Sequence, residues 1–326
     1  MEFGVQIMNL DWPQLKDMAQ TAEGLGFHTI MMPDHLVYEG PEHMTDAGHL
    51  SYDPMLRAAV VLEATRTVRV GHLVLCNLFR HPAVMAQSLT SLDHLGGGRL
   101  FCGIGTGWTA SEFRMTGIPY PDMPTRLAML DEALTVMRSL WTQERTTFAG
   151  AHYRFTDALL HPKPLQRPHP PILLGGGGKG LLRLAAKHAD VVNIIAAVGA
   201  PGYISTAETA KLTDAAFRDK VAFVRAEAAR HGRDGAAIRI SNVAFTTMIT
   251  DSAAATASAC QALAGFFKIP PTAVPQSPLA LVGTADAIAA EINRRAREWD
   301  VSQLVFSIQS TDQMERLARE VMPAVR

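Results

Sequence analysis

Eight short, nearly unbroken apolar runs recur along the chain, and a longer amphipathic segment follows almost every one. The runs are Phe3–Met8, His28–Met32, Val68–Leu75, Leu100–Ile104, Pro171–Leu174, Val191–Ala196, Ile238–Ile249 and Gln303–Ile308. Strands apolar on both faces are strands covered on both faces, which is the habit of parallel sheets. The spacers read as helices at Trp12–Leu25, Pro54–Thr65, His81–Leu95, Arg126–Trp141, Lys179–Lys187, Ala207–Arg230, Ala253–Phe266, Thr284–Glu298 and Thr311–Val321. Glycines punctuate their ends, as at Gly24 and Gly26 and at Gly96–Gly98. Helical crossovers between parallel strands are right-handed. Eight such units without a composition break favour one (β/α)8 TIM barrel over residues 1–326, not two doubly wound halves.

Loop insertions are expected at about 34–53, 109–125, 142–170 and 267–280. Within the last, Pro270, Pro271, Pro275 and Pro278 can join neither a ladder nor a helix interior. Ile269–Pro278 is therefore expected to be a mobile cover over the barrel mouth, with Phe266, Phe267 and Val274 shielding the interior.

Charge excludes one large class of partners. Lys and Arg total 30 against 31 Asp and Glu, a formal net charge of −1. A non-specific nucleic-acid binder needs a basic surplus to release counterions. Cys76, Cys102 and Cys260 lack CxxC spacing, so neither a disulfide framework nor a thiolate metal site is expected, and a reducing cytoplasm is the simplest setting. The His43 and His49 region lacks a convincing third ligand, so no metal is expected. No basic leader precedes the first strand, and no apolar run nears the roughly 20 residues of a membrane helix.

In a (β/α)8 barrel, chemistry sits at the C-terminal ends of the strands. After the second strand come Asp34 and His35, either a proton-moving pair or a turn that caps the next segment. After the third comes Cys76, then Arg80, which reads as a solvated cap or an ion-pair partner. After the fourth, Gly105, Thr106, Gly107 and Trp108 let a flat ligand approach the backbone, or simply serve a tight turn. After the fifth, Gly175, Gly176, Gly177 and Gly178 run into a helix. Gly175, Gly177 and Gly180 fit G-x-G-x-x-G, but the next strand ends without the acidic residue a dinucleotide site wants. What remains is a phosphate cradle of backbone amides, or a plain flexible loop. On the first reading, Gly177→Val should weaken ligand binding far more than it lowers stability. Glycine turns around one mouth, without a nucleophile elbow or metal motif, suit a protein whose cofactor carries the chemistry.

Asp34-His35, Gly71–Asp93, Gly98-Arg99, Gly103–Trp108 with Glu112, Arg126–Ala133, Leu140-Trp141, Gly150–Tyr153, Pro170–Gly177 and Ala185–Asp190 together resemble the bacterial luciferase-like superfamily. The resemblance is strongest to its coenzyme F420-dependent branch. It implies a deazaflavin across the mouth, with Asp34 at the ring and His35 near its reactive C5 carbon. It implies a non-prolyl cis peptide at Leu73–Val74 bulging against the ring. Cys76 would lie beside it, Gly105, Thr106, Gly107 and Trp108 along it, and Gly175–Gly178 at its phosphate. A homodimer acting on a small molecule is implied too. Sugar-phosphate dehydrogenases of this branch carry glutamate where Trp108 stands, and Ala196–Gly199 and Pro278–Leu281 offer no cation for a substrate phosphate. A less polar substrate is the expectation. The alternatives are an FMN-dependent monooxygenase using reduced flavin and oxygen, and a non-catalytic flavin-binding barrel.

Overall fold

The computed structural model describes residues 1–36, 50–199, 206–308 and 310–326. Its strands are β1 (Glu2–Ile7), β2 (Thr29–Met32), β3 (Arg69–His72), β4 (Leu75–Cys76), β5 (Cys102–Gly105), β6 (Thr146–Ala149) and β7 (Arg154–Ala158). Then follow β8 (Ile172–Gly176), β9 (Val191–Ile194), β10 (Arg239–Ala244), β11 (Thr246–Ile249), β12 (Ala280–Gly283) and β13 (Val301–Ile308). The sheet runs β3-β2-β1-β13-β10-β9-β8-β5-β4, with parallel neighbours throughout. Its two ends are halves of one segment, interrupted at Leu73–Val74. Arg69 pairs with Thr29 on one side, Leu75 with Ile104 on the other, and Val70 bridges to Leu100. The sheet thus closes into the expected (β/α)8 barrel with eight staves.

Two apolar layers hold it. Met31, Phe101, Leu173, Val191, Val243 and Val305 fill the barrel interior. Gly71 admits the Phe101 ring, since a Cβ there would lie 2.5 Å from it. A larger shell, including fully buried Trp141, Phe217 and Trp299, lies between the staves and the helices. These helices are α1 (Trp12–Gly24), α2 (Pro54–Ala64), α3 (Pro82–Leu95), α4 (Ala110–Thr116), α5 (Met123–Thr142) and α6 (Lys179–His188). The remainder are α7 (Thr206–Ala210), α8 (Asp214–Arg230), α9 (Ala253–Phe267), α10 (Ala285–Trp299) and α11 (Thr311–Arg316). Polar caps start many of them. Asp11 and Gln14 form a capping box on α1, and Asp53 accepts the Met55 and Leu56 amides on α2. Among the described residues, no helix is long and apolar enough to cross a membrane.

The structure departs from the sequence expectations in four places. The helix expected at 207–230 is split, because the Thr213 side chain caps a fresh start at Asp214. The strand expected at 238–249 leaves the barrel at Phe245, and β11 pairs instead with β12. The 142–170 insertion contains the β6–β7 antiparallel hairpin. The proline-rich stretch is anchored. Pro271–Gln276 forms a 3-10 turn, Val274 is fully buried in the core, and the fully buried Arg295 guanidinium donates to the Ser277, Pro278 and Ala280 carbonyls. Val274 therefore packs into the apolar core and is no part of the cavity lining. His43 and His49, with most of the 34–53 insertion, lie outside the described residues.

His72, at the end of β3, is fully buried with Nε2 3.2 Å from the Pro54 carbonyl. Burial holds its pKa down at about 4. A histidine protonated below about 6.5 when unfolded, yet neutral down to about 4 when folded, costs stability across that window as pH falls. The fall from 6.5 to about 4 corresponds to about 3 kcal/mol, present above pH ~6.5 and lost by pH ~4. The stability difference between wild type and His72→Gln, from denaturant melts, should change by that order between neutral pH and pH ~4. A pH-independent difference would contradict the assignment.

Candidate active site

The C-terminal ends of the staves surround a cavity of about 490 Å³. Asp34, His35, Leu73, Val74, Cys76, Gly105, Thr106, Gly107, Trp108 and Gly175–Gly178 all line it. Residues 34 and 178 are far apart in sequence. Barrel closure alone brings them to one mouth.

Asp34 is 4% exposed and firmly held. Its Oδ2 accepts from the Cys76 amide at 2.9 Å and from Arg80 at 2.6 Å, while Oδ1 is buried without a partner. Burial pushes this carboxyl upward, and the Arg80 guanidinium and Cys76 amide pull the other way. Arg80 also donates to Asp53 at 2.7 Å, so it ties the end of β2 to the cap of α2. Of its two readings, the ion-pair partner is the one observed. Burial drives the Cys76 thiol up to about 12, so it lines the wall as a neutral thiol.

The Leu73–Val74 peptide is cis, as the resemblance implied. Gln6 Nε2 donates to the Leu73 carbonyl at 3.1 Å. Val74 reaches across to its neighbours, so that a Cβ on Gly105 or on Gly175 would lie 2.9 Å from one of its methyls. Glycine in both staves makes room for that side chain. Gly107 has φ +77, and its carbonyl accepts from Arg126 at 2.7 Å. Arg126 in turn sits 3.9 Å over the Tyr120 ring.

His35 faces a partner that the sequence motif contained without a role. Its Nδ1 lies 3.1 Å from Glu112 Oε2, and the Leu36 amide donates to Glu112 Oε1 at 2.9 Å. Glu112 is 2% exposed and stands in the first turn of α4. Trp108 meets the imidazole edge-on, with ring centres 5.6 Å apart. Position 108 thus gives His35 an aromatic wall, while a carboxylate reaches it from position 112.

At the fifth strand end, Gly177 is more constrained than a phosphate cradle requires. A Cβ there would lie 2.0 Å from the Ile195 carbonyl oxygen and 2.8 Å from Ala196 C. Gly177→Val would displace the end of β9, so it cannot separate binding from folding as expected. Gly178 caps α6 with φ −78, and a Cβ there has nothing within 4 Å. Lys220, from α8, donates to the Gly177 carbonyl at 2.6 Å. Burial and then the charge of Lys179 lower its pKa, so two cations lie near this turn.

Phe266 and Phe267, expected at the mouth, do line the cavity, and sequence reasoning missed the rest of that wall: Met8, Val198, Val243, Phe245 and Leu279 make it apolar. The break of the strand at Phe245 is what brings that ring to the mouth.

Residues 2–304 match the luciferase-like monooxygenase family, and the chain belongs to it. A glucose-6-phosphate dehydrogenase of Intrasporangium calvum described as F420-dependent is 37% identical over 180 residues, 54% of this chain and 52% of that protein. An FMNH(2)-dependent dimethylsulfone monooxygenase of Pseudomonas putida is 31% identical over 176 residues, 54% of this chain and 46% of that one. The chain thus spans about half the length of the curated relatives it matches. Among solved structures, an F420-dependent secondary alcohol dehydrogenase superposes with TM-score 0.77 at 21% identity, covering 100% of this chain and 99% of the other. A long-chain alkane monooxygenase gives 0.79 at 16%, covering 99% and 90%. At such identities the two structures speak for the barrel fold.

Proposed function

We propose that this chain is a coenzyme F420-dependent oxidoreductase that moves a hydride between deazaflavin C5 and a small, uncharged, largely apolar organic substrate. The observation that carries the reading is the charge pattern of the cavity. Among the described residues lining it, the ionisable side chains besides Cys76 are Asp34, His35 and Glu112, and none is Lys or Arg. Segments 37–49 and 200–205 contain no Lys or Arg either. With Lys179 and Lys220 at the Gly177–Gly178 turn taken by the cofactor phosphate, an anionic sugar phosphate would find no further counter-charge in the lining, whereas a neutral alcohol or carbonyl meets an apolar wall and one imidazole.

The residues present fit a flavin-type group. The unpartnered Asp34 Oδ1 offers an acceptor for a ring N–H, and the Gly177–Gly178 turn at the start of α6 offers amides beside Lys179 and Lys220. When bound, a deazaflavin supplies a two-electron, hydride-exchanging carbon. The protein's part is to seat the ring edge on Asp34, exclude water with Phe245, Phe266 and Leu279, and hold a proton at His35.

FMN is the second reading, favoured by the 31% identical FMNH(2)-dependent relative. A homodimer in a reducing cytoplasm completes the proposal, with three buried unpaired cysteines in keeping. Anaerobic assays with F420 should give turnover on neutral secondary alcohols and little on glucose 6-phosphate. The reverse preference would overturn the substrate class.

Gly178→Asp isolates the phosphate assignment. Aspartate is a better helix cap than glycine by a few tenths of a kcal/mol, and the backbone already suits it. The same carboxylate would repel a phosphate. Melting temperature should hold or rise while the F420 Kd weakens at least tenfold, about 1.4 kcal/mol, by titration. Unchanged affinity would remove phosphate from this turn.

A further inference from the structure

We infer that Glu112 is a positioning residue that fixes which nitrogen of His35 exchanges protons, an inference resting on the oxidoreductase reading of the cavity. Its two oxygens reach two neighbours at the end of β2. Oε1 takes the Leu36 amide, a group that can only donate, and Oε2 faces His35 Nδ1 at 3.1 Å. An ionised carboxylate only accepts, so the ring nitrogen opposite it carries the hydrogen. A neutral imidazole has one N–H; with that hydrogen on Nδ1, the lone pair is on Nε2. The Trp108 ring, edge-on at 86°, bounds one side of the imidazole.

His35 lines the cavity, and with Nδ1 held by Glu112 its base would be Nε2, with a carboxylate behind the ring to stabilise the imidazolium. That polarity suits a substrate hydroxyl: its O–H bond breaks, an Nε2–H bond forms, and the proton returns by the same path to a carbonyl oxygen in reverse. The hydride is the bound cofactor's share. A purely structural Glu112, tethering Leu36 to the first turn of α4, would not be what sets the tautomer.

Glu112→Gln separates the two roles. The Leu36 amide still demands an oxygen, so the new NH2 falls opposite Nδ1 and forces the hydrogen of His35 onto Nε2. Long-range 15N–1H correlation spectra of cofactor-free protein report the tautomer directly. The resonances are assigned by their loss in His35→Asn and read on the alkaline limb of the ring's titration. Wild type should show Nδ1–H and Glu112→Gln should show Nε2–H. In the loaded enzyme kcat should then fall about a hundredfold or more, with cofactor Kd changed no more than about threefold. Wild type carrying Nε2–H, or the same tautomer in both proteins, overturns the inference. The wild-type spectrum decides even if the variant folds poorly, and no cofactor is involved, so failure of the F420 reading is a separate result.

Discussion

His35→Ala should turn over about 10²–10⁴-fold more slowly than wild type while binding the deazaflavin within roughly tenfold of its affinity. The residue stands at the end of a barrel stave, its side chain 11% exposed at the cavity, with its Nδ1 engaged by Glu112. Its loss removes a proton acceptor and opens space, but leaves Asp34 and the glycine turns untouched. If His35 merely braced α4, the variant would instead melt earlier and turn over normally per folded molecule. Stopped-flow absorbance of the deazaflavin, normalised to folded protein, distinguishes these results.

Arg80→Met should be the most damaging single change to stability near the site, by about 3 kcal/mol, because it strands a buried carboxylate. Arg80 neutralises Asp34 and Asp53 together, and burial alone would push the Asp34 carboxyl up. Without the guanidinium, Asp34 would hold a proton more strongly and could no longer offer two accepting oxygens. Cofactor affinity should drop at least tenfold, about 1.4 kcal/mol. Adding Asp34→Asn to Arg80→Met should recover much of the stability but none of the binding. Denaturant melts and cofactor titration on the single and double variants check both halves. Equal stability of Arg80→Met and wild type would show that the ion pair does nothing for the fold.

The barrel was readable because a stave buried on both faces has few polar positions to break its apolar run, as in Ile172, Leu173 and Leu174 of β8. β6 was not, since Thr146–Ala149 is half exposed and carries no clear alternation. β12 hid behind the prolines before it, and only its pairing with β11 reveals it as a strand. Site residues at strand ends, such as Asp34, His35 and Gly105–Trp108, could be found by position alone. Glu112 could not be given a role, because its bond to His35 spans 77 residues and depends on where α4 starts. Arg80 left two readings open until Asp34 and Asp53 were seen on either side of it. Lys220 approaches the Gly177 turn from α8, and no local pattern announces that approach. Long-range pairings were the part that sequence periodicity could not carry.

The central claim, a deazaflavin seated on Asp34 and the Gly175–Gly178 turn, is tested most directly by titrating the purified protein with coenzyme F420 and, separately, with FMN. Visible absorbance and intrinsic fluorescence follow each titration. Trp108 lines the cavity and provides an internal reporter. The account predicts saturable F420 binding that quenches tryptophan emission, is weakened by Gly178→Asp, and is at least tenfold tighter than binding of FMN. Tight binding of FMN with no response to F420 would contradict it and establish the flavin monooxygenase reading in its place.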